Sequence, residues 1–178
     1  MSKLTLISTA TVSGAASAEF TSGIDSTYDE YVFYFFNVQP TGDNAHFSFQ
    51  GNVAGQSGFN ETITSTAFLS YHQEDGAGSA LAYDASFDQA QGTAYSNVSY
   101  SIGSEADQSG AGIMHLFNPA STTYVKHFYS RTSNYNYEPM AAELFMAGYI
   151  NTPTAIDEIT FKMSSGNFDG VIQMYGIA

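Results

Sequence analysis

The sequence predicts an all-β protein, a two-sheet antiparallel sandwich of jelly-roll-like type, in one domain over residues 1–178. Hydrophobic and polar residues alternate with period two in short runs, and clusters of Gly, Asn, Asp and Ser separate these runs. No run has the periodicity of a convincing amphipathic helix. The length suits a single domain, and no internal repeat of about 20–50 residues indicates a propeller or a solenoid.

The first strand is predicted at residues 3–12, where apolar residues alternate with Thr and Ser. Lys3 and the small residues 16–18 resemble the ends of a secretory signal, but the apolar run between them is interrupted, so we interpret it as a strand of the mature protein. The next run, residues 31–38, carries aromatic residues on both faces. It predicts a central strand that is covered on both sides, with its aromatic residues in the core.

Seven further runs are rich in β-branched and aromatic residues and bring the predicted count to nine strands. They are residues 45–50, 61–72, 113–117, 123–131, 143–150, 156–163 and 171–177. Turn residues at 118–121 and 164–167 predict two hairpins between neighbouring runs. The segment at about residues 73–110 is rich in Gly, Ala, Ser and Asp, and residues 80–90 within it are compatible with one or two helical turns. We interpret this segment as a long surface excursion of the same domain.

The composition excludes several classes of function. Four Lys and Arg residues against 17 Asp and Glu residues give a net charge of −13, so nucleic-acid phosphate would be repelled. The absence of cysteine excludes disulfide frameworks, thiolate nucleophiles and Cys-ligated metal centres. No apolar stretch approaches the roughly 18 residues of a membrane span. From the charge we expect no nucleic-acid partner, and from the lack of a span we expect no membrane partner.

No sequence motif places a catalytic nucleophile, a phosphate loop or a cofactor, so we expect no enzyme activity and no cofactor. A hairpin that pairs Phe117 with Thr123 would make His115 and His127 diagonal neighbours, but no third ligand lies at a fixed spacing, so no metal site is predicted. His46 and His72 lie on polar faces and are expected to be exposed.

Acidic residues in the predicted loops leave two alternatives. Asp25 with Asp29, or Asp84 with Asp88, could share a calcium ion with loop carbonyl groups, although no calcium-binding repeat is present. The other interpretation is that these carboxylates are solvated and keep the protein soluble.

Tyrosine-rich sequence at residues 134–137 gives the candidate interface residues, Tyr135 and Tyr137. Tyrosine suits subunit contacts, intrachain packing or stacking on sugar rings, and these three alternatives stay open. We expect replacement of both tyrosines by alanine to weaken assembly more than it lowers monomer stability. The scarcity of lysine leaves predicted edge strands without the usual protection, so symmetric assembly or a covering loop such as 73–110 is expected to shield them.

Three segments carry a resemblance that extends over nearly the whole chain: GIDSTYDEYVFYFFN at 23–37, MHLFNPASTTYVKHFYSRT at 114–132 and ITFKMSSGNFDGVIQMYGI at 159–177. They resemble a family of small virion structural proteins of tailed bacteriophages, especially marine ones. The resemblance implies a β-sandwich, often trimeric, that holds to the virus particle and presents a surface. It implies no catalytic residue.

These observations give two main hypotheses. The first is a non-enzymatic phage virion protein, a capsid decoration or a tail or fibre component, which contacts other virion proteins and copies of itself in a homotrimer. Its location would be the virion. The alternative is a glycan-binding module of the same fold that recognises a host-surface glycan. A small hydrolase on a sandwich scaffold is a third hypothesis, with no motif to support it.

Overall fold

The computed structural model describes residues 3–178, which form twelve β-strands in two antiparallel sheets. The strands are β1 (Leu4–Ala15), β2 (Ser17–Phe20), β3 (Glu30–Pro40), β4 (Phe47–Val53), β5 (Ile63–Gln73), β6 (Ser79–Tyr83), β7 (Ser96–Asn97), β8 (Gly110–Phe117), β9 (Lys126–Tyr135), β10 (Met140–Ile150), β11 (Ile156–Met163) and β12 (Phe168–Ile177). This described part of the chain contains no helix, and hence no apolar helix long enough to cross a membrane.

The strand order is that of a jelly roll with two additions. The larger sheet has eight strands in the order β1-β12-β3-β8-β9-β10-β5-β6, and the smaller has four in the order β2-β11-β4-β7. Without β5, β6, β9 and β10, the remaining eight strands form two four-stranded sheets, β1-β12-β3-β8 and β2-β11-β4-β7. This alternation between two sheets is the jelly-roll arrangement, so both the sandwich and the jelly-roll-like topology are confirmed.

The two added strand pairs widen one sheet only. Strands β5 and β6 are inserted between β4 and β7, and β9 and β10 between β8 and β11. All four add to the larger sheet beyond β8, which doubles its width without a matching change in the smaller sheet. The larger sheet therefore has an outer face that extends well beyond the jelly-roll core.

An aromatic cluster fills the space between the sheets. Phe161 on β11 is fully buried, and its ring centroid lies 5.2 Å from those of Phe33 and Phe35 on β3 and 5.6 Å from that of Phe47 on β4. Such ring pairs add to the free energy gained by burying apolar area. The inward half of the aromatic run on β3 is therefore the centre of the core.

The outer face of the smaller sheet is polar and covered by loops. On β4, the Gln50 side-chain amide donates hydrogen bonds to the carbonyl oxygens of Glu61, Thr93 and Ala94, at 3.0, 3.3 and 3.1 Å. The Lys162 ammonium on β11 lies 4.0 Å from the ring centroid of Tyr95. Because these loops hold the polar groups of the sheet, Gln50 is fully buried with its amide protons paired.

All nine predicted strands are present, eight of them with shifted ends, and three short strands were missed. These are β2, β6 and β7, which have four, five and two residues. The prediction of helical turns at residues 80–90 is wrong, because β6 pairs with β5 there and a turn follows. The 73–110 segment also contributes to the core, since Phe87, Val98 and Ile102 are buried in it.

The hairpin predicted at residues 164–167 does not form, because the strands on either side of this turn belong to different sheets. The turn at 164–167 joins β11 of the smaller sheet to β12 of the larger sheet, and Gly166 within it has a φ of 71°. Turn residues indicate where the chain reverses and carry no information on whether the next strand pairs with the last one. The other predicted hairpin, between β8 and β9, forms through a longer loop, 118–125.

Candidate functional site

The outer face of the larger sheet, which we call the aromatic face, concentrates the exposed apolar side chains of the protein. Seven of the nine large hydrophobic side chains that are exposed among the described residues lie on it. They are Leu4, Leu6, Phe36, Phe68, Leu81, Tyr83 and Tyr129. Isolated exposed hydrophobic residues are ordinary, whereas a contiguous exposed patch marks an interaction surface.

The strand register brings these side chains together. Residues directly opposite in an antiparallel pair point to the same face of the sheet, so a chain of paired residues traces a row across it. One row crosses all eight strands: Thr9, Gln173, Tyr34, Ile113, Arg131, Phe145, Phe68 and Tyr83. A neighbouring row runs through Leu6, Tyr175, Val32, His115, Tyr129, Ala147 and Thr66.

Contacts between neighbouring rings fix the positions of the aromatic side chains. Phe68 and Phe145 are stacked, with centroids 4.6 Å apart and an interplanar angle of 9°. The Arg131 guanidinium lies 5.0 Å from the Phe145 centroid, and the His115 ring stacks on Tyr129 at 4.4 Å. Because the rings are held by one another, the face loses little side-chain entropy when a partner binds.

The centre of the aromatic face is almost neutral in a strongly acidic protein. The five strands β3, β8, β9, β10 and β5 contain two acidic residues, Glu30 and Glu143. Glu30 is hydrogen-bonded to His115 Nδ1, and Glu143 accepts a hydrogen bond from Arg131 Nε. The remaining acidic residues lie on other strands and in loops, so a partner at this face avoids most of the charge of −13.

Two adjoining hollows lie on the aromatic face where Ala147 presents only a methyl group. The larger, about 420 Å³, is lined by the rings of Phe117, Tyr129 and Tyr149 and by His127. The smaller, about 250 Å³, shares Tyr129 and Ala147 and extends to Phe68 and Phe145. Both are shallow and mostly apolar, so they suit the side chains of a partner or the apolar face of a sugar ring.

His115 and Glu30 form a pair of titratable groups on this face. A histidine paired with a carboxylate is part of many acyl-transfer sites, which also need a hydroxyl nucleophile on the second ring nitrogen. In residues 3–178, no hydroxyl group hydrogen-bonds His115 Nε2. Burial and the charge of Glu30 both raise the pKa of Tyr129, so this ring carries a neutral hydroxyl near neutral pH.

The predicted site residues lie at the margin of the aromatic face. Tyr135, at the end of β9, is half-buried and opposite Ala141, on the border of the face. Tyr137 lies outside the sheet in the turn between β9 and β10, where its hydroxyl donates a hydrogen bond to Glu138 at 3.4 Å. Sequence reasoning missed Phe68, Tyr129 and Phe145, which stand at outward positions of predicted strands where polar residues are usual.

The histidines differ from the predicted arrangement in register. His115 lies opposite Tyr129, four residues from the predicted pairing, because the loop 118–125 is longer than a tight turn. His127 stays a diagonal neighbour on the same face, since an even shift preserves the face. His46, expected to be exposed, is half-buried against Phe87, at 4.9 Å between ring centroids.

The acidic loop residues are engaged in turns. The Asp25 carboxylate accepts a hydrogen bond from the Thr27 N–H at 2.8 Å, and hydrogen bonds from Thr27 lower the pKa of Asp25. Asp84 accepts one from the Ser86 N–H at 3.0 Å. Within the described ranges, no group of three or more His, Asp or Glu side chains is arranged to hold a metal ion.

Comparison with known proteins found no family model, no curated protein and no solved structure that is significantly similar to this chain.

Proposed function

We propose that this chain is a non-enzymatic structural subunit of a phage virion, which acts through protein contacts made by its aromatic face in a symmetric assembly. The observation that carries the proposal is that, of the nine large hydrophobic side chains exposed among residues 3–178, seven lie on that one face. The opposite side of the sandwich is polar and already covered by loops, as the paired amide of Gln50 illustrates. The two outer surfaces are thus built for different environments.

The size of the aromatic face suits a protein partner. Eight strands spaced about 4.8 Å apart span roughly 38 Å, and a stretch the length of Glu30–Phe36 spans roughly 24 Å. The area of the face is therefore roughly 900 Å². Each partner of a standard protein interface contributes a similar area, about 800 Å². A small ligand would cover only a fraction of this area.

Two further arguments support the proposal of a virion component, either a capsid decoration or a part of a tail or fibre. The jelly roll is a fold that viral capsid domains use repeatedly, although a fold alone does not determine function. The sequence segments at 23–37, 114–132 and 159–177 resemble small phage structural proteins. The partners are then other virion proteins and copies of this chain, expected to form a homotrimer located in the virion.

The test is a double substitution in the middle of the aromatic face, Phe68→Ser with Tyr129→Ser. Their side chains are 44% and 43% exposed, so we expect the folded subunit to keep its circular dichroism spectrum while native mass spectrometry shows loss of the oligomer. The matched control is Tyr124→Ser, which removes a 71% exposed ring from the β8–β9 loop and is expected to leave the oligomer intact. An unchanged native mass in the double variant, or equal loss in the control, contradicts the proposal.

The second candidate function is glycan binding, which the larger hollow favours. Phe117, Tyr129 and Tyr149 surround it, and His127 and Thr64 supply polar groups of the kind that bind sugar hydroxyls. A glycan array, with and without calcium, tests this candidate. A reproducible ligand whose binding is lost in Tyr149→Ala supports it, and the absence of any ligand counts against it.

A further inference from the structure

The first strand of the larger sheet is a long open edge. Strand β1, Leu4–Ala15, has twelve residues, and in the described chain its one hydrogen-bonded neighbour is β12. Only Val12 in it is buried. Among residues 3–178, no other strand pairs with the far side of β1, which therefore presents unpaired backbone N–H and C=O groups.

The other sheet edges are protected by their shortness. Strand β6 has five residues, β2 four and β7 two, and short edge strands offer few backbone groups to another chain. Strand β1 lacks the charged residues and prolines that often protect an edge strand. Its two irregularities, between Leu6 and Ser8 and between Val12 and Ala15, leave a regular segment at residues 8–12.

We infer that β1 pairs in antiparallel fashion with β1 of a second copy of this chain, about a twofold axis at Ala10. Ala10 is the centre of the regular segment, so Ser8 would lie opposite Val12 of the second copy and Thr9 opposite Thr11. Antiparallel pairing of a strand with itself is self-complementary, as a twofold contact requires. Two copies of a chain with a charge of −13 can meet here because neither strand carries an acidic residue.

The pairing would join two larger sheets into one of sixteen strands. Thr9 ends the row of outward residues that crosses all eight strands, so this row would continue into the second copy. The two aromatic faces would then form one continuous surface. This contact is separate from the aromatic face, so either can fail experimentally while the other stands.

Disulfide trapping tests the pairing without interference, because the chain contains no cysteine. Residues directly opposite in an antiparallel pair have Cα atoms about 4.5–5.5 Å apart, within the range of about 4.4–6.8 Å that a disulfide allows. We expect Ala10→Cys to give mostly covalent dimer on oxidation. The control, Ser13→Cys, is exposed but lies three residues from the axis, so its two copies would be roughly 20 Å apart and should stay monomeric. Equal, low cross-linking of both variants overturns the pairing.

Charge insertion gives the second test. Thr9→Lys with Thr11→Lys places like charges opposite each other across the axis, at two positions exposed in the subunit. Twofold pairing through β1 would join two of the expected homotrimers into a hexamer. We therefore expect the two lysines to halve the native mass, while Thr122→Lys with Thr123→Lys, in the exposed β8–β9 loop, leaves it unchanged. If the Phe68→Ser and Tyr129→Ser variant dissociates but the β1 lysines do not change the mass, the edge pairing is wrong and the proposed function stands. A monomeric native protein contradicts both.

Discussion

At the scale of one residue, the His46 side chain is half-buried immediately before β4. The alternation at residues 45–50 places Phe47 and Phe49 on the opposite face, and both are buried in the core. It also predicted a solvated His46, whereas the ring packs against Phe87 and Tyr100, with centroids at 4.9 and 6.4 Å. Both partners come from the 73–110 segment, and local alternation carries no information about a segment that folds back from 40 residues away in the chain.

Burial of His46 makes the stability of the protein depend on pH. Burial lowers the pKa of His46 below its ordinary value, and the nearby charge of Asp84 opposes this only in part. The unfolded chain therefore binds a proton at a higher pH than the folded protein does. The stability associated with neutral His46 is complete above about pH 6.5 and is lost as the pH falls toward the lowered pKa.

We expect His46→Gln to reduce the loss of unfolding free energy between pH 7.5 and pH 5. Urea denaturation at the two pH values measures this difference. The control is His72→Gln, because His72 is exposed on β5, and this variant should keep the pH dependence of the unmodified protein. An unchanged pH dependence in His46→Gln would show that His46 does not contribute to it.

Lys126 is a second residue that sequence reasoning did not single out. It is fully buried at the start of β9, and its ammonium donates hydrogen bonds to the carbonyl oxygens of Tyr124 and Thr152, at 2.6 and 3.1 Å. Burial lowers the pKa of Lys126. The lysine thereby connects the β8–β9 loop to the loop after β10, a contact that depends on the strand order.

At the scale of elements, the sequence predicted strands well and their partners poorly. Alternation is a local signal, so all nine predicted runs are strands, and the missed ones are too short to show a period. Pairing is non-local: β3 pairs with β12 and β8, and β11 pairs with β2 and β4. The turn at 164–167 has the same residues that a hairpin would have. The chain nevertheless crosses there to the larger sheet, where β12 pairs with β3.

Close approach of strands in the larger sheet requires glycine at a specific position. A Cβ atom on Gly112 of β8 would lie 2.6 Å from the Arg131 carbonyl oxygen and 2.8 Å from the Thr132 Cα on β9. Since both of these atoms belong to the backbone, the strand pair itself would have to move.

We expect Gly112→Ala to lower the free energy of unfolding by about 1–3 kcal/mol, the usual cost of overpacking. The control Gly42→Ala adds a methyl group that meets no atom within 4 Å, and we expect it to change stability by less than about 0.5 kcal/mol. Chemical denaturation of both variants decides the matter, and equal effects would contradict the proposed close approach.

At the scale of the whole molecule, the candidate site could not be read from the sequence because its residues are distant along the chain. Tyr135 and Tyr137 stood out since only one residue separates them in the sequence. The aromatic face instead gathers Phe68, Tyr129 and Phe145 from β5, β9 and β10, whose neighbourhood is defined by strand order. The predicted covering of β3 on both sides is likewise wrong, because Phe36 is 43% exposed on this open face.

The asymmetry of the sandwich is the basis of the functional proposal. Insertion of β5, β6, β9 and β10 widens one sheet into an apolar, nearly neutral surface, while loops cover the polar outer face of the other sheet. Such a protein is suited to contact through the widened sheet, and most of its acidic residues lie elsewhere on the molecule.

Chemical footprinting of tyrosine at increasing protein concentration tests this claim most directly. Tyr129 lies in the middle of the aromatic face, and Tyr124 lies outside it with 71% of its side chain exposed. If the face is the contact surface of the assembly, labelling of Tyr129 falls as the protein assembles, while labelling of Tyr124 stays constant. Labelling of Tyr129 that stays constant across the assembly transition, or that falls in parallel with Tyr124, contradicts the account.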